Sequence, residues 1–212
     1  MKTVACVLKT GGWRNRHIRV EYGPDNVRWL RDQVVPHLGT AYRFVCLSDV
    51  PVAGVDTIQL QDNLPGWWSK IELFREFDDA FYLDLDTAIV GDITRMVKHK
   101  HRFTVLKNLS SREDERIGSG VMAWRGDYSV IYREFMACPE RHMAECTTSE
   151  KWGDQGFIQS MRLHTDTFQA LWPGRVVSYK LHGKDGYMPR NSRIVCYHGL
   201  PKPAQAPVKG FM

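Results

Sequence analysis

The stretch AFYLDLDTAIVGDI, Ala80 to Ile93, decides the fold. It opens as an apolar run and closes on two carboxylates, Asp84 and Asp86, with one leucine between them. In an extended chain residues i and i+2 share a face. Phe81, Leu83 and Leu85 are therefore expected on one side, and Tyr82, Asp84 and Asp86 on the other. Two like charges about 4 Å apart repel by roughly 4 kcal/mol at an effective dielectric of about 20. Something must offset that repulsion, and a bound cation would do so directly. Mn(II) and Mg(II) suit such a pair, because they take one or two carboxylates and complete their shell with phosphate oxygens.

Upstream of this stretch, apolar runs at Thr3–Thr10, Tyr42–Asp49 and Val55–Leu60 read as strands. They alternate with helical patterns over PDNVRWLRDQVVPHL, where Asp25 is placed to cap, and PGWWSKIELFREF. Downstream, strands are expected at Phe103–Lys107, Val121–Arg125, Arg175–Tyr179 and Arg193–Tyr197, with helices at Tyr128–Cys138 and Gln155–His164. Such alternation predicts an α/β fold with a mostly parallel sheet flanked by helices. In open sheets of this kind ligands lie outside the carboxyl ends of the strands. Lys9 and Thr10 end the first strand, Ser48 and Asp49 the second, and Asp84 and Asp86 a later one.

The 212 residues fit one domain, divided at about 1–107 and 108–203, with an irregular tail over 204–212. A net charge of +5 suits an anionic ligand such as a nucleotide or glycan without requiring nucleic acid. The densest basic cluster, KHKHR at Lys98 to Arg102, reads as a solvated turn. No apolar run reaches membrane-spanning length, and Val4–Leu8 is too short for a signal core. Five cysteines without a C-x-x-C pair read as reduced core residues of a cytoplasmic protein. Seven tryptophans are many for this length, and aromatic faces can stack on sugars.

Three further motifs bear on the chemistry. IVCYHGLPKP puts His198 past a strand, followed by Gly199, which permits close backbone approach, and Lys202, a point charge suited to phosphate. RIGSGVMAW has small residues, Ser119 and Gly120 among them, where a strand begins. WGDQGFI sets Asp154 and Gln155 at a helix start, where Asp154 alone would be an ordinary cap.

Taken in order, D-x-D, x4-G-D, S-G-V-M, D-Q and H-G-x-x-K-P resemble the nucleotide-sugar glycosyltransferases of the GT-A fold. The pattern is similar to family 8, the glycogenin and lipopolysaccharide galactosyltransferase group, over about Trp67 to Pro203. The resemblance implies that Asp84, Asp86 and His198 bind Mn(II) (or Mg(II)) bridging the diphosphate of a UDP-sugar, and that Lys202 contacts phosphate. It implies that Lys70 contacts the donor, Ser119 and Gly120 line the sugar pocket, and Asp154 and Gln155 lie beside the reacting carbon. It also implies retention of anomeric configuration. The chain departs from the family where Gly118 replaces the usual Asn, and where the histidine directly precedes Gly199 rather than standing three residues before it. The acceptor stays open among glycan, lipid-linked glycan, protein and modified nucleic acid. Two rival readings remain: a sugar nucleotidyltransferase, whose Gly-rich basic signature near the first strand LKTGGWRNR faintly resembles although H-G-x-x-K-P favours the transferase, and a non-catalytic glycan- or nucleotide-binding module.

Overall fold

The segment TVACVL has the alternation of a strand buried on both faces. In the computed structural model it forms β1 (Lys2–Leu8), whose Val4, Cys6 and Leu8 enter one core while Ala5 and Val7 enter another. The structure describes residues 2–11, 13–15, 18–38, 42–109 and 116–211, without the side chains of 13–15 and 18–20. The first half continues with β2 (Trp13–Asn15), β3 (Ile18–Val20), α1 (Pro24–Val34), β4 (Tyr42–Ser48), β5 (Asp56–Gln59), α2 (Leu73–Glu76), β6 (Asp79–Leu83), β7 (Thr87–Ile89) and α3 (Thr94–Lys98). Then come β8 (Phe103–Lys107), β9 (Ile117–Arg125), α4 (Ser129–Ala137), α5 (Pro139–Glu145), α6 (Gly153–Ser160), β10 (Asp166–Thr167) and α7 (Phe168–Leu171). The chain closes with β11 (Val176–Ser178), α8 (Tyr179–His182), β12 (Tyr187–Met188), β13 (Ile194–Cys196) and β14 (Gly210–Phe211).

Seven strands form the central sheet in the order β10-β8-β9-β6-β1-β4-β5. β6, β1, β4 and β5 run parallel, and β9 lies antiparallel to both β6 and β8. One face is covered by Val27, Leu30 and Val34 of α1, the other by Trp68, Ile71, Phe74, Ile131 and Phe135. The α/β fold with a mostly parallel sheet is therefore as expected. A second sheet, β11-β13-β7, matters for the site. Because β7 follows the D-x-D directly and β13 pairs with it antiparallel, the C-terminal segment is brought back against the carboxylates. The Tyr197 N–H donates to the Asp86 carbonyl at 3.1 Å.

Several local expectations are corrected. β6 ends at Leu83, and Asp84 to Thr87 form a turn closed by Thr87 N–H to the Asp84 carbonyl at 3.1 Å. The two aspartates thus do not continue a strand. The helix read over PGWWSKIELFREF is mostly a 3-10 helix, Gly66–Glu72, passing into the short α2. Asp25 does not cap α1; Gly23 occupies that position and its N–H is taken by Asn26 Oδ1 at 2.9 Å. The KHKHR cluster is only partly solvated, for His101 is 2% exposed. It sits against Phe81 and Trp172, bonded to Thr104 Oγ1 and the Met96 carbonyl at 2.8 Å each. Burial, ahead of every other influence, lowers its pKa to about 4. The tail expected to be irregular contributes β14, paired with β12. All five cysteines are free, as read from their spacing. Gly12 and Arg16 of the LKTGGWRNR signature lie outside the described residues.

Candidate functional site

The parallel strands place their carboxyl ends over a cavity of about 470 Å³. Of the twelve expected site residues, eleven line it: Lys9 just after β1, Lys70 from the 3-10 helix, Asp84 and Asp86 after β6, and Ser119 and Gly120 from β9. Asp154 and Gln155 of α6 join them, with His198, Gly199 and Lys202 after β13. Thr10 is the exception. Its N–H and hydroxyl both donate to Asp49, at 2.9 and 2.8 Å. Lys9 is tethered beside it, to Asp49 Oδ2 at 3.1 Å and to Asn63 Oδ1 at 2.8 Å.

The cations facing the acidic pair in this structure are lysines, one to each carboxylate. Lys70, 6% exposed, lies 3.3 Å from Asp84 Oδ1 and 3.0 Å from Asp154 Oδ2, and donates to Ser119 Oγ at 3.1 Å. Burial alone would lower its pKa, but Asp154 and Asp84 outweigh that and hold it above the ordinary lysine value. Asp86 accepts from Lys202 Nζ and, at 3.0 Å, from Tyr22 OH. Burial raises the Asp86 carboxyl above its ordinary value despite Lys202. The turn explains the division: it sends Asp84 toward the 3-10 helix and Asp86 toward the C-terminal segment.

The backbone shapes the rest. Asp84 N–H donates to the Gly120 carbonyl at 2.9 Å, and a Cβ on Gly120 would stand 3.2 Å from Asp84 Oδ2. Glycine there lets the carboxylate lie against β9. Tyr82 donates to Asp84 from below, its own pKa raised well above normal by burial and then by that carboxylate. Asp154 is not a helix cap; Trp152 holds that position and Asp154 lies in the first turn of α6, pointed at Lys70.

His198 lines the same cavity as the two carboxylates. Its Nε2 is bonded to Ser178 Oγ at 2.7 Å. Burial, and then Lys180, Lys202 and His182, lower its pKa to about 4, so it is neutral at pH 7. Among the described residues no three His, Cys, Asp or Glu side chains stand together as a metal cage. What the protein offers a hard divalent cation is the two carboxylates of one cavity, the number such an ion uses alongside phosphate oxygens. That donor set fits Mn(II) or Mg(II), provided Lys202 and Lys70 shift toward the incoming anion.

Sequence reading did not place Tyr22 or Tyr82 at the cavity they line, took Trp67 only as one of several aromatic faces able to stack on sugars, and gave Gly153 no role. Gly153 has φ +57°, and a Cβ there would come within 2.8 Å of the Trp67 ring nitrogen. Glycine is thus demanded twice, by backbone and by neighbour. Gly153→Ala is expected to destabilise the fold by about 1–2 kcal/mol and to disturb Asp154 next to it. Urea denaturation measures this; an unchanged midpoint would mean that Trp67 can move aside freely.

No family model and no curated protein matches the sequence. Solved structures do match the fold. The glycosyltransferase GlyE of Streptococcus pneumoniae TIGR4 superposes with a TM-score of 0.65 at 13% identity, over 96% of this chain and 56% of that one. The galactosyltransferase LgtC, in complex with donor and acceptor sugar analogues, gives 0.61 at 10% identity over 97% and 90%. The bifunctional glycosyltransferase WbbM gives 0.59 at 11% identity over 95% and 46%. The chain therefore spans about half the length of GlyE, and its fold is the one GT-A glycosyltransferases use.

Proposed function

We propose that this chain transfers a glycosyl group from a nucleotide-sugar, by resemblance a UDP-sugar, to an acceptor hydroxyl. The reading is carried by one observation: eleven residues from six remote segments, each expected from a different motif, line a single cavity at the strand ends of this fold. Asp84 and Asp86 would hold Mn(II) or Mg(II), which would neutralise charge on the diphosphate. Lys202, near enough to reach Asp86, would follow the leaving phosphate and stabilise its charge. Lys70 fixes the carboxylate of Asp154 beside the sugar pocket of Ser119 and Gly120, and Gln155 would position the sugar. Neutral His198 would donate or accept a hydrogen bond without adding charge. Retention follows the family likeness. The free cysteines suit the reducing cytoplasm, and no described helix is long and apolar enough to cross a membrane.

The test is release of UDP from UDP-glucose and UDP-galactose with Mn(II), then with chelator. Metal-dependent release supports the reading. Release unaffected by chelator removes the metal, and a thermal shift with no release from either donor leaves the rival of a bare binding module.

A further inference from the structure

Among the described residues six large apolar side chains are conspicuously exposed: Trp29, Val35, Trp152, Tyr187, Leu200 and Phe211. Only Trp152 also lines the cavity. An exposed indole in the wall of a cavity offers a flat apolar face on which a ring can stack. We propose that Trp152, backed by Trp67, is the stacking platform of an acceptor subsite, and that the acceptor presented there is a pyranose ring.

The ring is built to stay in place. Trp152 caps α6, its carbonyl accepts Gly156 N–H at 3.0 Å, and its backbone bridges to Thr147. Its indole meets that of Trp67 at 6.0 Å between centroids and 46° between planes. Trp67 in turn lies against Gly153, where the lack of a side chain admits it. Two fixed rings give large contact area at little entropic loss. A pyranose offers what such a surface takes, one face of C–H groups with hydroxyls at its rim.

Sheet order assigns the occupant. Lys9 marks the β1 end of the cleft, and α6 packs on β9, two strands away across β6. Strand spacing makes that about 10 Å. A nucleoside over β1 and a diphosphate at Asp84 and Asp86 therefore leave Trp152 beyond the sugar pocket, on the side where an acceptor must enter. Asp154, two residues from Trp152, lines the same cavity. This inference rests on the transferase reading.

Saturation-transfer NMR tests it, with methyl β-glucopyranoside, methyl β-galactopyranoside and UDP as separate probes in the presence of diamagnetic Mg(II). At least one glycoside is expected to receive saturation on its C–H face. Trp152→Ala should cut that signal about tenfold, the loss of one aromatic contact. Trp152→Phe should keep most of it, and Trp29→Ala all of it. UDP signal should be the same in all four proteins. No saturation of either glycoside in the wild type, or full signal in Trp152→Ala, overturns the subsite while UDP binding leaves the donor reading standing. Loss of UDP signal in Trp152→Ala would overturn it too, since the ring would then stack on the base. Glycoside signal dependent on Trp152 without UDP binding would sink the donor reading, and with it the acceptor role of the Trp152 surface.

Discussion

Lys70→Met is expected to unfold the protein more readily by about 3–5 kcal/mol and to abolish donor turnover. Lys70 and Asp154 are 6% and 5% exposed, and one ammonium serves two carboxylates and a hydroxyl. Removing it leaves Asp154 charged and buried with no counterion, and leaves Asp84 with a neighbour of its own sign. Breaking a buried pair from one side costs far more than the pair contributes, because the remaining charge cannot return to water. The accompanying double variant, Lys70→Met with Asp154→Asn, removes both charges and should recover a good part of the stability. It should recover none of the activity. Urea denaturation and UDP release from a UDP-sugar read the two separately. Wild-type stability in Lys70→Met alone would mean that water reaches Asp154 and that the buried network is not closed.

That network shows what the sequence could and could not reveal. Lys70, Asp84 and Asp154 each stood in a recognisable motif, and strand alternation correctly put Tyr82 and Asp84 on one side. The sharing of one ammonium by Asp84 and Asp154 was not legible, because the two lie 70 residues apart and meet only when α6 and the 3-10 helix pack together. Strand alternation puts Asp84 and Asp86 on one face of a continuing strand. A turn begins at Asp84 instead, and i, i+2 logic stops where the strand stops. Asp25 lost the cap because Asn26 returns to Gly23 from the next position, a competition that composition alone does not rank. His101 sat in a run of basic residues that looked solvated, yet Phe81, Phe168 and Trp172 close over it from other elements. Trp67 and Gly153 did not mark the site singly. Their meaning is the contact between them.

Asp86→Asn should part from Lys70→Met in stability alone: turnover down about a hundredfold or more under saturating Mn(II), with no loss of stability. Asp86, half-buried between Tyr22 and Lys202, has its carboxyl raised above the ordinary value by desolvation, with Lys202 opposing the rise and Asp84 adding to it. A folded pKa above the unfolded one means that the native state prefers this group protonated. Ionisation at neutral pH therefore costs stability, and the cost disappears as pH falls through the raised value toward 3.8. Asparagine keeps an oxygen for Tyr22 and Lys202 and removes the charge. The variant should thus melt no lower than wild type at pH 7, and any advantage should fade in acid. A carboxylate retained where the fold would do as well without its charge is best explained by what it binds. Undiminished donor hydrolysis in Asp86→Asn would take away its place at the metal. A fall in melting temperature would show that the ion pair with Lys202, not a missing ligand, is what Asp86 is there to make.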